Sequence, residues 1–238
     1  MPLQIARSNV RIHNGTLEAL KWMALLAMTG DHINKYLFNG TIKPLFAVGR
    51  LALPLFVFVL AYNLARPGAM SRGLYTRTLG RIVVCGAISS VPFVALGSLL
   101  HGWWPANVLF TLAVITAVIY LLELKSTAAS LTAIFVFVVG GALVEFVWAG
   151  VGLGVVFWAY IKNPAPVQAI AVLLMLAALS LVNGTSWALA ALPLVIAAPF
   201  VNFNVPRLRW AFYSYYPIHL SVLWLIRIPM RNAGYLFF

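Results

Sequence analysis

Residues 131–161 carry one charged side chain, Glu145. The run is too long for a single membrane-spanning helix, which takes about 20 residues, and too apolar for a water-soluble fold. Similar runs fill 17–38, 44–65, 82–100, 108–124, 167–201 and 211–230. Across the chain 63% of residues are hydrophobic and 8% are charged, where a soluble domain carries about 25% charged residues. No soluble fold of this length hides so much apolar surface. The runs are continuous, whereas the strands of a transmembrane barrel alternate. The fold class that follows is all-α, a polytopic integral membrane helical bundle.

Breaks in the hydropathy divide this bundle into nine helices. Asn39-Gly40 turns the chain after the first, and Pro44 opens the second. Residues 66–81 form the longest internal loop and hold Arg66, Arg72, Arg77 and Arg81. His101, Trp103, Trp104 and Pro105 make an interfacial loop, and paired tryptophans suit a headgroup belt. The run 131–161 splits near Glu145. Further breaks lie at 162–166, at Asn183-Gly184 and at 202–209. The organisation expected is a basic tail over 1–16, one bundle over 17–230 and a short tail over 231–238. Thr16 is a plausible N-cap, with Glu18 in the first turn. The first apolar segment is too long and too charged for a cleaved signal peptide and reads as a retained helix. Cys85, the single cysteine, is a small packing residue.

The net charge of +12 invites a nucleic-acid reading, but the basic residues are scattered singly over short connectors. With the N-terminus inside, the inner segments hold Arg7, Arg11, Arg66, Arg72, Arg77, Arg81, Lys125, Lys162, Arg207 and Arg209. The outer ones hold Lys43 and Arg231, with Lys35 near an outer end. That asymmetry is the positive-inside pattern. It places the N-terminus in the cytoplasm, leaves membrane lipid as the surrounding partner, and gives no nucleic-acid role.

Four carboxylates occur in the whole chain, and Asp31 lies within the first span. A charged group in hydrocarbon costs roughly 2.5 to over 10 kcal/mol, so an intramembrane carboxylate marks a candidate site. At about 1.5 Å per residue, Asp31 lies about 20 Å from the inner end of its helix, Arg50 about 9 Å from the outer end of the second, and His219 about 12 Å into the last. These depths overlap. Tyr216, His219, Leu223 and Arg227 share one stripe of the last helix. Pro54 and Pro217 each leave a carbonyl without its helical donor, which is tolerated where backbone lines a cavity. Simpler readings stand beside this one. Asp31 and Lys35, four apart, form a pair on one face. Arg50 snorkels or bridges helices, and His219 is an interhelical hydrogen bonder. Glu145 lies near an outer boundary, and Gly150 with Gly154 is a small-xxx-small packing pair. No phosphate-loop, dinucleotide-binding or metal-ligand spacing is present. A histidine beside a carboxylate is a general base with its orienter, and an arginine stabilises phosphate or a developing oxyanion. Acyl transfer uses those roles. Proton-coupled transport uses the same groups as a relay.

Four segments carry a resemblance: LKWMALLAMTGDH at 20–32, GRLALPLF at 49–56, NVLFTL at 107–112 and YPIHL at 216–220. In this order they resemble the TraX family of conjugative pilin acetyltransferases, which includes TrbP-type conjugal transfer proteins. Leu53 departs from the Phe common before the motif proline. The resemblance implies a multi-pass protein of the bacterial inner membrane, acetyl-CoA as acyl donor, a pilin subunit as acceptor, and other conjugation-system membrane proteins as partners. Carried onto this chain, the motif positions are Asp31, His32, Arg50, Asn107 and His219. The catalytic set expected is His32 as base, Asp31 as its orienter, and His219. The binding set expected is Arg50, Asn107, Tyr216, Arg227 and Glu145, with Arg66, Arg72, Arg77 and Arg81 as the donor's docking surface. Two other classes remain open: a non-catalytic membrane component of pilus assembly, and a proton-coupled transporter.

Overall fold

The structure is a computed structural model that describes residues 11–97 and 104–237. Expectations for Arg7, His101 and Trp103 lie outside the described residues, as does the Arg209 side chain. Ten α-helices form among the described residues: α1 Asn14–Leu37, α2 Lys43–Gly49, α3 Ala52–Ala65, α4 Leu74–Ala95, α5 Val108–Glu123, α6 Thr127–Leu143, α7 Val147–Lys162, α8 Pro166–Asn183, α9 Ala191–Ala197 and α10 Arg209–Asn232. Short 3-10 turns, Ser186–Ala190 and Ala198–Phe200, flank α9.

Local chemistry explains most of the boundaries. His13, Asn107 and Ser126 each accept a backbone N–H at the start of α1, α5 and α6, satisfying donors that a helix leaves open. Proline occupies the first turn of α2 and α8, where no N–H is missed. Gly184, with φ of 65°, closes α8 in the left-handed conformation.

Several boundaries differ from the sequence reading. The N-cap of α1 is His13 rather than Thr16, whose hydroxyl donates to the Val201 carbonyl at 2.6 Å. Glu18 lies beyond the first turn and pairs with Lys21 at 2.6 Å. The span expected over 44–65 is interrupted at Arg50-Leu51, because Pro54 offers no N–H to the Arg50 carbonyl. The helix expected from residue 82 begins at Leu74, so Arg77 and Arg81 stand on α4 rather than in a loop. The segment before the polar loop is three short pieces, broken up around Pro193 and Pro199. The run 131–161 does divide at Glu145, between α6 and α7.

Three stretches are long and apolar enough to cross a membrane: Lys43–Ala65, Leu74–Ala95 and Pro166–Asn183. Four shorter apolar helices accompany them, Val108–Glu123, Thr127–Leu143, Val147–Lys162 and Ser186–Phe200. Large apolar side chains cover their outer faces, including Val84, Ile88 and Val91 on α4, Leu131 and Phe135 on α6, and Ile170 and Leu174 on α8. Water does not tolerate contiguous apolar surface of this kind, so the chain is a membrane protein. Helices α1 and α10 carry more charged residues than the others and are correspondingly less apolar.

At the centre, α3 packs against α7, and α5 against α4, α6 and α7; α8 covers α7 and α10 packs on α4. Leu55, Val57, Ala61, Ile115, Val151, Leu153 and Leu176 form the middle of this core. Two glycines of α7 set its spacing. A Cβ on Gly150 would press on Phe146, and one on Gly154 would press on Ile115 of α5 at 2.5 Å. Small residues are how membrane helices approach closely. Gly154→Val is therefore expected to lower stability by about 1–3 kcal/mol, read as an earlier thermal transition in detergent. Gly80→Ala, where an added Cβ meets nothing within 4 Å, is the matched control and is expected not to lower it.

Candidate active site

The site starts from the break between α2 and α3. Arg50 sits in that break as the C-cap of α2, and its guanidinium bonds the Asp31 carboxylate of α1. Its other nitrogens reach the Phe46 carbonyl at 3.3 Å and the Asn183 side-chain oxygen at 3.5 Å. Gly49 makes the approach possible, since a Cβ there would overlap Asp31. The expected Asp31–Lys35 pair is not the one formed. Nor does Asp31 orient His32: its ion-pair partner is Arg50 on a neighbouring helix, and His32 finds another.

That other is His219 of α10. His32 Nδ1 and His219 Nε2 are 2.7 Å apart, and the rings stack at 5.0 Å. His219 Nδ1 lies 2.9 Å from the Tyr215 carbonyl. A carbonyl only accepts, so His219 Nδ1 carries the hydrogen. With both rings neutral, His219 Nε2 accepts from His32 Nδ1, and the lone pair of His32 falls on Nε2. The tautomer of the first histidine is thus set through the second by a main-chain oxygen. Tyr215 stacks on His219, and its hydroxyl meets Thr29 Oγ1 at 2.7 Å, which ties α10 to α1. Tyr216 packs edge-on against both histidines.

A chamber of about 790 Å³ opens beside this group, within the roughly 300–1,000 Å³ of small-molecule sites. Asp31, His32, Arg50, Tyr216 and Glu145 line it; so do Arg66, Arg72 and Arg81. It extends from the α3–α4 connector to the Lys35 end of α1. Three cations outside the expected set, Lys21, Lys35 and Arg207, also line it. Arg207 lies far along the sequence from the other basic residues, and only the return of residues 201–208 over α1 brings it near. Burial draws the Arg66 guanidinium down from its ordinary value. Arg81 lies over Trp210 and Tyr213 of α10.

Four expected residues are placed elsewhere. His219 is buried and sits behind His32 rather than on the chamber wall, and its ring contacts the chamber's lining at His32. Asn107 caps α5, and its amide donates to the Gly86 carbonyl and Ser90. Every polar atom of that side chain is used structurally. Arg227 bonds the Leu96 carbonyl at 2.6 Å, under Phe237. Arg77 turns back onto the Gly73 and Arg72 carbonyls of its own connector.

The family model described as "TraX protein" matches residues 16–227. A curated relative, "Protein TraX" of Escherichia coli, is 30% identical over 129 residues, covering 54% of this chain and 49% of that protein. The matched part thus spans about half of that relative's length. No solved structure matches the chain.

The ion pair makes a measurable statement. Breaking a fully buried pair by removing one partner costs about 3–5 kcal/mol, an upper bound for this partly buried one. Asp31→Asn and Arg50→Gln are each expected to destabilise the protein, while the double variant recovers part of the loss because no charge is left alone. Thermal unfolding of the four proteins in detergent closes the cycle; strictly additive losses would remove the coupling.

Proposed function

This chain belongs to the TraX family, associated with conjugative pilin processing, and from that premise we propose that it is an integral-membrane acyltransferase that acetylates the amino terminus of a pilin subunit. The observation that carries the reading is the free lone pair of His32 on the wall of a chamber that reaches a cluster of arginines. An imidazole held in one tautomer and facing a chamber is what a general base needs.

The topology proposed is multi-pass in the bacterial inner membrane, with nine crossings and the N-terminus in the cytoplasm. The basic end of the chamber then faces the compartment that holds acetyl-CoA. Arg66, Arg72, Arg81, Arg207 and Lys21 suit the donor's phosphates, because guanidinium groups bind phosphate in bidentate geometry. In this reading the thioester reaches His32 while the phosphates stay at the basic end. A membrane-inserted pilin would present its amino end from the other side.

The step is an acyl transfer. The acceptor nitrogen attacks the thioester carbonyl carbon, and the carbon–sulfur bond breaks. His32 Nε2 first takes one proton from the acceptor's ammonium, which frees the lone pair that attacks, and the second proton that the nitrogen loses on acylation goes to the leaving thiolate. His219 holds His32 in the reactive tautomer. In this reading the guanidinium of Arg50, fixed by Asp31, stabilises negative charge on the carbonyl oxygen.

A non-catalytic role in pilus assembly, beside other conjugation-system membrane proteins, accounts for the Asp31–Arg50 pair as interhelical glue. It gives no reason for the open nitrogen of His32 or for a basic chamber. The test replaces His32 with Ala and weighs the processed pilin by mass spectrometry. Acetylated product is expected to fall by about 10²–10⁴ in rate at normal protein level. Undiminished acetylation would remove His32 from the reaction, and equal pilin mass in cells with and without the protein would remove the enzyme reading.

A further inference from the structure

The chain has four carboxylates, Glu18, Asp31, Glu123 and Glu145. Three are in ion pairs: Glu18 with Lys21, Asp31 with Arg50, and Glu123 with Lys162. Glu145 is in none among the described residues, yet it lines the chamber that holds His32. A carboxylate in a membrane protein is expensive to bury without a cation. Its position therefore asks for a reason.

The backbone around Glu145 is built to hold it there. Phe146 and Val147 both adopt left-handed conformations, with φ of 62° and 41°. For a β-branched residue that is a genuine outlier, and strain of this kind persists where the surroundings over-determine it. They do so here. The Glu145 N–H donates to the Ala106 carbonyl at 3.0 Å, and Ala106 in turn donates to the Leu143 carbonyl. Thr111 donates to the Glu145 carbonyl at 2.6 Å. Gly150 leaves room for Phe146 that no other residue would. The Val108 N–H, at the start of α5, lies beside the carboxylate. Helix N-termini favour negative charge.

One N–H leaves most of the carboxylate's acceptor capacity unused. Lys35, Arg50 and Asp31 lie within its electrostatic field, as does Tyr216. Those two cations, neither in an ion pair with Glu145 among the described residues, repel a divalent metal twice as strongly as a singly charged group. A hydroxyl brings one donor and no charge. An ammonium group supplies one positive charge and three donors. We propose that Glu145 anchors the protonated amine of the acceptor, holding that nitrogen in the chamber on the His32 side. The inference deepens the acyl-transfer reading and rests on it for the identity of the acceptor. It makes the enzyme selective for amines over hydroxyls.

The test is a binding measurement that needs no turnover. An amidated five-residue Ala/Gly/Leu peptide with a free amino terminus and its N-acetylated twin are titrated against the full-length protein in detergent. The wild type is expected to bind the free-amine peptide at least tenfold more tightly. Glu145→Gln is expected to erase that preference, and Glu145→Asp, which keeps the charge, to retain part of it. Equal affinity for the two peptides in the wild type overturns the proposal without recourse to any variant, and so does a preference that survives Glu145→Gln. Acetyl transfer is followed in the same preparations. Its absence alongside an intact, Glu145-dependent preference would sink the acyltransferase reading and leave the amine anchor standing.

Discussion

The Asp31–Arg50 pair is the interaction on which the rest of this structure depends. Each group alone would be a heavy cost in hydrocarbon; together, at a helix break, they become a strut between α1 and the α2–α3 unit. Pro54 removes the donor for the Arg50 carbonyl, Gly49 removes the side chain that would keep the helices apart, and Asp31 fills the space. The same strut fixes the rotation of α1. Once Asp31 points at α2, His32 one position later turns toward α10, where His219 waits.

From that rotation follows the separation of roles inside the chamber. Helix α1 contributes a cation near one end, Lys21, a carboxylate and an imidazole deeper in, and a second cation, Lys35, beyond them. Helix α4 adds Arg81, and the connector before it adds Arg72. The chamber is thus basic at one end and mixed in charge where His32 and Glu145 stand. A polyanionic molecule with a small reactive tip matches that profile, with charge held at one end and reactivity at the other. The outer helices α6 and α8 contribute no wall residue to it. They shield the core from lipid.

Parts of this were legible in the sequence because burial in a membrane makes polarity conspicuous. Asp31, His32, Arg50, Glu145 and Tyr216 stand out against apolar neighbours, and all five line one chamber. The stripe on the last helix was visible from its spacing, and Tyr216, His219 and Leu223 are buried along it. Pairing was not legible. Asp31 has two neighbours in sequence, His32 and Lys35, that chemistry allows as partners, and it takes neither. Asn107 stood in a recognisable motif, but a motif does not say whether a polar side chain meets a ligand or caps a helix. Arg207 was invisible as a chamber residue, since nothing local shows that residues 201–208 fold back over α1.

Composition and hydropathy by themselves determined that the chain is helical and belongs in a membrane, because continuous apolar runs leave the backbone no other way to satisfy its hydrogen bonds. They also marked which few polar residues were too costly to be incidental. Only the tertiary structure decided which of those residues touch. Partnerships between α1, α2 and α10 depend on helix rotation to within a fraction of a turn, and that rotation comes from a proline break, a glycine contact and a partly buried ion pair acting together, none of which a linear pattern encodes.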